Sequence, residues 1–379
     1  MVEHKKELYN NIRLLQHFEI LQQIEQGHGP EAPPLHVRIE PTEACNFRCA
    51  FCYWHDPERK AYIKNIANVT GYNRLPFDRF LTLIDELAEI GTQAISFTGS
   101  GDPLMYPKLG QILKRIHAQQ IKAGVTSNLA MPLDDETIEA LSQCTWIRWS
   151  MNAGTPEGFI KTHAPREKAP EKAFHRAIEN VKRLVNLKTD RHLPVHLNAS
   201  FVIFRTNERD IYAAAQLAKN LGLASIAFRP DQPPERISEE LAYEKFVQEL
   251  IQRSRQDFDS EHFNVFASSM RLEDAQKSGD PDLVCFYSNH TTHIAANGEV
   301  YPCCHTRHLK HFAMGNILNQ PFKKFWQSKK RREFYKQLIF DKCPTCQYGT
   351  TNEVLKQLYL GKATAKRFFQ DEADKSPFI

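Results

Sequence analysis

A chain of 379 residues, 41% hydrophobic and 25% charged, is long enough for two domains and has the composition of soluble globular proteins. Its net charge of +4 is small, which argues against nucleic acid as an obligatory partner. The N-terminus lacks the features of a secretory signal and no apolar run reaches membrane-spanning length, so we expect a cytoplasmic protein that does not contact a membrane. Nine cysteines in such a chain indicate metal binding rather than disulfides.

The order of apolar patterns predicts an α/β protein. Helical periodicity followed by a breaker-rich stretch predicts an N-terminal helix and linker over residues 1–34. Short β-branched runs at 35–40, 94–98, 123–127, 146–150, 195–204 and 225–229 then predict six strands. Amphipathic stretches at 77–90, 107–119, 134–143, 169–185 and 207–221 predict the helices between them. This alternation favours parallel βα units, arranged as either a doubly wound sheet or an incomplete barrel.

Three cysteines follow the first predicted strand directly. Cys45, Cys49 and Cys52 have the spacing Cys-x3-Cys-x2-Cys. Three thiolates on one short loop can hold three irons of a cubane cluster, whereas a fully ligated four-iron cluster takes four cysteines. The fourth iron is then open to a small molecule. A zinc site lacking one ligand is the weaker alternative, because structural zinc sites usually close with paired Cys or His units.

This spacing, with Phe51 in the aromatic position before Cys52, resembles the signature of the radical S-adenosylmethionine (SAM) superfamily. The resemblance implies a (βα)6 partial TIM barrel over residues 35–235. It also implies a 4Fe-4S cluster whose open iron binds SAM, and cleavage of SAM to a 5′-deoxyadenosyl radical that abstracts hydrogen from substrate. A reductant such as flavodoxin or ferredoxin would supply the electron. Phe51 and Tyr53 are expected beside the cofactor.

Residues at the ends of later strands are further candidates for SAM binding. The turn 97–104 aligns with the Gly-Gly-Glu-Pro motif of the family, which assigns Ser100, Gly101 and Asp102 to the SAM amino group. Ser replaces the first Gly and Asp replaces Glu, so Asp102 reaches less far. Ser127, Ser150, Asn152 and Arg229 end the third, fourth and sixth strands and are candidates for SAM contacts. A turn-forming role for such residues is equally open.

A second group of cysteines lies beyond a helical bridge predicted over residues 236–280. Cys285, Cys303, Cys343 and Cys346 have metal-binding spacing that suits zinc or an iron-sulfur cluster. The order Cys, Gly-x4-Cys, Gly-Asn-Ile, Cys-x2-Cys resembles the twitch or SPASM extension of radical SAM enzymes, and the shorter twitch form fits better. The resemblance implies a small β-hairpin and helix domain over residues 281–349, with a second 4Fe-4S cluster, before a helical tail over residues 350–379.

A cluster with four protein ligands is suited to carrying an electron rather than binding substrate. The leading hypothesis is therefore a radical SAM oxidoreductase that removes hydrogen from a polar small molecule. Its concrete version is oxidation of a sugar or aminocyclitol alcohol, with the auxiliary cluster as electron acceptor.

Two alternatives remain open. The first is an epimerase or ribosomal-peptide maturase in which Cys304 or Cys144 donates a hydrogen atom. The 34 residues before the barrel are too few for a peptide-recognition domain, although a separate protein can supply one. The second is a zinc or iron-sulfur binding protein without catalysis. His305, His308 and His311, and the basic run 323–332, are expected to lie on solvated surfaces.

Overall fold

The computed structural model describes residues 13–29, 31–52, 54, 73–230, 245–267, 285–336, 343, 346 and 348–368. Tyr53, one of the expected SAM contacts, lies outside the described residues. Parts of the predicted bridge, at 236–244 and 268–280, lie outside them as well.

One sheet organises the described chain. Its ten strands are β1 His36–Ile39, β2 Ala94–Phe97, β3 Lys122–Ser127, β4 Trp146–Ser150, β5 His196–Ile203, β6 Ser225–Pro230, β7 Asn264–Ala267, β8 Thr291–Ile294, β9 Glu299–Tyr301 and β10 Gly315–Asn316. They are arranged in the order β10-β9-β8-β1-β2-β3-β4-β5-β6-β7. The pairs from β8 through β1 to β7 are parallel, whereas β8, β9 and β10 pair antiparallel.

Helices connect the strands. They are α1 Phe18–Glu25, α2 Phe77–Glu89, α3 Leu109–Ala118, α4 Asp135–Ser142, α5 Pro156–His163, α6 Glu171–Arg191, α7 Ile211–Asn220, α8 Lys245–Phe258, α9 Phe322–Trp326, α10 Lys329–Lys336, α11 Gly349–Tyr359 and α12 Ala365–Phe368. Some begin with a side-chain cap: the Asp134 carboxylate accepts from the Thr137 amide before α4, and the Thr155 hydroxyl accepts from the Gly158 amide before α5.

The two faces of the parallel strands differ in chemistry. Ile95, Val125, Ile147 and Phe201 pack on one face in a core shared with the helices. Because side chains alternate along a strand, the residues between them face the inside of the barrel, and most of these are polar. The α/β partial barrel predicted from the sequence is confirmed, and its six predicted strands are all present.

The structure adds elements that the sequence patterns did not predict. The bridge contains α8, as expected, but also the strand β7, which pairs in parallel with β6. The helix α5 follows β4. The C-terminal hairpin is joined to the barrel, because β8 is hydrogen-bonded in parallel to β1.

A smaller core lies beside this junction. Leu21 and Ile24 of α1 pack with Leu355 and Leu358 of α11 and with Tyr287. The N-terminal helix and the C-terminal helices therefore support the segment that carries Cys285.

Candidate active site

The loop that carries Cys45, Cys49 and Cys52 is fixed by backbone hydrogen bonds to the end of α5. The Arg48 amide donates to the carbonyl of His163 at 3.0 Å, and the Ala50 amide donates to that of Thr162 at 2.9 Å. Phe47 is buried against Phe159, with ring centroids 5.6 Å apart. Two backbone hydrogen bonds and the buried side chain of Phe47 thus hold the loop against the barrel.

A histidine that the sequence analysis did not single out contacts this loop. His163 is 1% exposed, and its Nδ1 lies 3.0 Å from Cys49 Sγ. Its Nε2 lies 2.9 Å from the Met151 carbonyl, so Nε2 is the donor and Nδ1 accepts from the thiol in the neutral ring. Burial lowers the pKa of His163 to about 4, which favours that neutral ring.

The three thiols fit an iron-sulfur cluster. Burial, followed by the charges of Asp102 and Cys52, raises the pKa of Cys45 to about 12. Burial, followed by the charges of Cys52 and Cys45, also raises the pKa of Cys49. The Cys52 amide donates to the Cys49 carbonyl at 3.0 Å, so a tight turn joins these two positions. Iron binding would displace the protons of the thiols. The donor set of three soft sulfur ligands is the type that iron-sulfur clusters use.

The glycine turn after β2 lies directly against the start of this loop. The Asp102 amide donates to the Ala44 carbonyl at 2.9 Å. A side chain at Gly101 would collide with the backbone of residues 42–44, and one at Gly99 would collide with Glu40. Only glycine permits this approach, which places the turn at the mouth of the barrel.

The carboxylate of Asp102 is engaged within the protein. It accepts from the Leu104 amide at 2.9 Å, the Ser127 hydroxyl at 2.8 Å and the Asn128 amide at 2.7 Å. Burial raises the pKa of Asp102, although these donors partly oppose the shift. Asp102 and Ser127, both expected at the cofactor, therefore also connect the ends of β2 and β3.

The other expected cofactor residues occupy different positions at the strand ends. Asn152 has a left-handed backbone with φ of 49°, and its side-chain oxygen accepts from the Val202 amide at 2.7 Å. It therefore joins β4 to β5. Ser150 and Arg229 are half-buried on the inner side of the barrel, and Phe51 packs 6.1 Å from the His163 ring.

A buried polar network joins the first strand to the C-terminal region. Glu40 is fully buried, and its Oε1 accepts from the Ser100 amide at 2.6 Å and from the Ser100 hydroxyl. His308 Nε2 donates to Glu40 Oε2 at 2.8 Å, and His293 Nε2 lies 3.7 Å from the same oxygen. Burial opposes ionisation of Glu40, but the two histidines outweigh it and lower the pKa of that carboxyl.

Two expectations about solvated side chains are wrong. His308 is fully buried rather than on a solvated patch, because it bonds Glu40 and packs 4.9 Å from the Trp54 ring. Arg331, in the basic run, is 1% exposed because its guanidinium lies 3.8 Å from the Trp326 ring centroid. His311 is exposed, as expected.

The thiols of the second group influence one another's ionisation. Burial raises the pKa of Cys303 to about 12, with added contributions from Cys304 and Cys285. Burial, followed by the charges of Cys285, Cys303 and Cys343, raises the pKa of Cys346. The Tyr348 amide donates to Cys346 Sγ at 3.3 Å. These four sulfurs form a donor set that also fits an iron-sulfur cluster.

The two cysteines outside the proposed ligand sets, Cys304 and Cys144, lie in different parts of the structure. Cys304 Sγ is 3.8 Å from Tyr348 Oη, and that hydroxyl accepts from Arg38 at 3.1 Å. Cys304 therefore lies near the inward-facing Arg38 of β1. Cys144 is 1% exposed in the helix-side core, with Sγ 3.8 Å from the Ala140 carbonyl. Cys144 therefore lies away from the inner side of the barrel, and its position does not support a role as hydrogen donor.

Fold and site together define an iron-sulfur protein built on a partial barrel. A model of the radical SAM superfamily matches residues 39–218, and a model of an iron-sulfur cluster-binding domain, SPASM, matches residues 285–347. The chain therefore belongs to the radical SAM superfamily and carries a SPASM-type domain. SAM and 4Fe-4S clusters are its cofactors.

The chain is similar in sequence to several known proteins, over different fractions of its length. A dTDP-4-amino-4,6-dideoxy-D-glucose ammonia-lyase of Streptomyces venezuelae is 26% identical over 45% of the chain and 33% of its own length. The next relatives are matched over 54% of their length, so the chain spans about a third to a half of these proteins. A tungsten-containing aldehyde ferredoxin oxidoreductase cofactor-modifying protein of Pyrococcus furiosus is 20% identical over 85% of the chain and 89% of its own length.

Solved structures share the fold. SuiB of Streptococcus suis bound to S-adenosylmethionine has a TM-score of 0.57 at 16% identity, over 79% of this chain and 66% of that one. Among the described residues of the present structure, we find no helix with the length and apolarity needed to cross a membrane.

Proposed function

We propose that this protein is a radical SAM oxidoreductase that oxidises an alcohol of a polar small molecule, such as a sugar or an aminocyclitol. When bound, the cofactors supply hydrogen-atom abstraction and one-electron transfer. Cys45, Cys49 and Cys52 hold the first cluster. The second cluster is held by Cys285, Cys303, Cys343 and Cys346.

One observation carries this proposal. The strand β8, which leads to the second group of thiols, is hydrogen-bonded to β1, which leads to the first. The Glu40–His308 hydrogen bond and the Arg38–Tyr348 hydrogen bond cross the same junction. A second cluster beside the inner side of the barrel is well placed to accept an electron from a substrate there.

The assignments at the mouth are part of the same proposal. The turn of Ser100, Gly101 and Asp102 approaches the first cysteine loop closely enough to position SAM above it. Phe51, Ser150 and Arg229 contribute further contacts, whereas Ser127 and Asn152 fix the strand ends. The polar inner side suits a hydroxyl-rich substrate, and the Streptomyces relative is named for a dTDP-linked amino sugar.

The test uses anaerobically reconstituted protein with dithionite, SAM and a panel of sugars and aminocyclitols. A substrate-dependent rise in 5′-deoxyadenosine, with a ketone product two hydrogens lighter, supports oxidation. Replacement of Cys346 by Ala should stop ketone formation. Zinc in a colourless protein, with no 5′-deoxyadenosine formed, would end the proposal.

One second candidate is an epimerase. The position of Cys304 near the inward-facing Arg38 favours it, because a thiol there could donate a hydrogen atom to a substrate radical. In that case product formed in deuterated solvent gains deuterium, and Cys304→Ala abolishes the gain. Product that carries solvent deuterium without loss of hydrogen would replace the oxidoreductase proposal with this one.

A further inference from the structure

A buried asparagine joins two segments that carry thiols of the second group. Asn352 lies near the start of α11 and is fully buried. Its side-chain oxygen accepts from the Tyr287 amide at 2.8 Å, and its side-chain nitrogen donates to the Tyr348 carbonyl at 3.2 Å. Each of these tyrosines follows a cysteine by two residues, Cys285 in one segment and Cys346 in the other. One side-chain amide therefore links two cysteine segments that are far apart in the sequence.

The two tyrosines also pack directly against each other. Their rings are stacked, with centroids 4.0 Å apart and planes inclined by 18°. Both hydroxyl groups accept from the same nitrogen of Arg38, at 3.1 Å for Tyr348 and 3.5 Å for Tyr287. The ring stack and the Asn352 amide together hold the two cysteine segments side by side. They do so next to Arg38, on the inner side of the barrel.

The orientation of the Asn352 amide follows from its partners. A backbone N–H can only donate, so the side-chain oxygen must face the Tyr287 amide. The amino group then faces the Tyr348 carbonyl and Cys285 Sγ, which lies 3.9 Å from it. Hydrogen bonds to sulfur are longer than those to oxygen because the sulfur atom is larger. Since the amino group carries two N–H donors, one serves the carbonyl and the other serves the sulfur.

An N–H donor beside a ligand sulfur affects the two oxidation states of a cluster unequally. Reduction adds negative charge, and a nearby donor stabilises that charge, so the reduction potential rises. The effect is strong where the donor is buried, because a low local dielectric strengthens hydrogen bonds. Asn352 meets this condition, since its side chain is fully buried.

We infer that Asn352 is a positioning residue for the second cluster: it joins the Cys285 and Cys346 segments and raises the reduction potential of the cluster through the Cys285 sulfur. The inference rests on the proposed function, in which this cluster accepts an electron from the substrate. An acceptor of higher potential takes that electron more readily. The Asn352 amide therefore favours oxidation of the substrate.

The test is a redox titration of anaerobically reconstituted protein, followed by electron paramagnetic resonance. SAM is added because it changes the signal of the first cluster and so separates the two signals. Asn352→Asp keeps an acceptor for the Tyr287 amide but replaces the amino group with an oxygen. We expect the reduction equilibrium of the second cluster to shift about tenfold toward the oxidised form, which is about 59 mV for one electron. The potential of the first cluster should not change.

Two further variants separate the hydrogen bond from charge and from stability. Asn352→Leu removes the donor without adding a carboxylate, so the potential should shift in the same direction by a smaller amount. Asn180→Asp is the matched control. Asn180 is 3% exposed and donates to the carbonyls of Leu129 and Met131, not to a thiol. Its replacement should change neither potential.

Unchanged potentials in Asn352→Asp with full iron content would overturn the inference. Equal loss of iron from both Asn352 variants and from Asn180→Asp would overturn it as well. Loss of about four irons from the Asn352 variants alone supports it, because only the second cluster is then released.

Ketone and 5′-deoxyadenosine are measured in the same samples, so that the two proposals can fail separately. If the potential shifts but the wild type oxidises no sugar or aminocyclitol, the proposed function fails and the role of Asn352 stands. If the wild type forms a ketone but the potential does not shift, the role of Asn352 fails and the oxidoreductase stands.

Discussion

Glu40 and His308 are joined by a hydrogen bond of 2.8 Å between two fully buried side chains, although 268 positions separate them in the sequence. Glu40 lies between β1 and the first cysteine loop. His308 follows Cys303 and Cys304. This buried contact thus connects the segments that carry the two groups of thiols.

We predict that His308→Leu destabilises the protein by about 3 kcal/mol, because it leaves Oε2 of the buried Glu40 carboxylate without its hydrogen-bond donor. The double variant Glu40→Gln/His308→Leu should lose less than the sum of the two single variants. Urea unfolding of all three proteins gives the coupling energy. If the losses of unfolding free energy in the two single variants add up to the loss in the double variant, Glu40 and His308 are not energetically coupled.

The turn after β2 gives a prediction about iron. Gly101→Ala places a Cβ against the backbone of residues 42–44 and should push the first cysteine loop away from the barrel. We expect iron content to fall from about eight to about four per chain, with only the second cluster retained. Iron and sulfide analysis measures the change.

Gly91→Ala is the control for this variant. Gly91 has φ of 92°, so alanine there adds strain of about 1 kcal/mol, but a Cβ would meet nothing closer than 3.7 Å. It should reduce stability without changing iron content. Equal loss of iron in both variants would attribute the effect of Gly101→Ala to general destabilisation.

Much of the barrel was predictable because its signals are local. Period-two and helical patterns located six strands, and the spacing of Cys45, Cys49 and Cys52 identified the first cysteine loop. The strand β7 was missed because it has four residues, of which Val265 alone is buried. A short strand with one buried residue has no clear alternation to detect.

The burial of two polar side chains was not predictable for a different reason. His308 and Arg331 occur in polar runs that usually face solvent, and only tertiary contacts with Glu40 and Trp326 bury them. His36 and Arg38 of β1 alternate with apolar residues, and Glu40 continues that alternation just after the strand. This pattern could have indicated a polar barrel interior. Nothing in the sequence around His163 indicated its contact with Cys49.

The second group of thiols gives a prediction about ligand identity. Cys303→Ala should leave about four irons per chain and preserve 5′-deoxyadenosine formation, because the first cluster does not depend on it. Cys45→Ala should abolish 5′-deoxyadenosine. Cys144→Ala is the control and should retain about eight irons, since its thiol lies in the helix-side core. Loss of iron from Cys144→Ala would contradict the assignment of seven ligands.

A buried histidine gives a prediction about acid stability. Burial lowers the pKa of His293 from 6.5 to about 4 in the folded protein. Between these values the unfolded chain binds a proton that the folded protein does not, so stability is complete above pH 6.5 and falls as the pH drops toward 4. The groups that act on the His293 ring are Glu40 and Cys304, which favour its charged form, and Arg307, which opposes it.

Thermal unfolding of cluster-loaded protein from pH 7 to pH 4.5 tests this expectation. His293→Gln should flatten the dependence in the upper part of that range, because glutamine does not titrate. His262→Gln changes an exposed histidine and should leave the wild-type profile unchanged. A profile for His293→Gln that matches the wild type would mean that His293 is protonated equally in the folded and unfolded states.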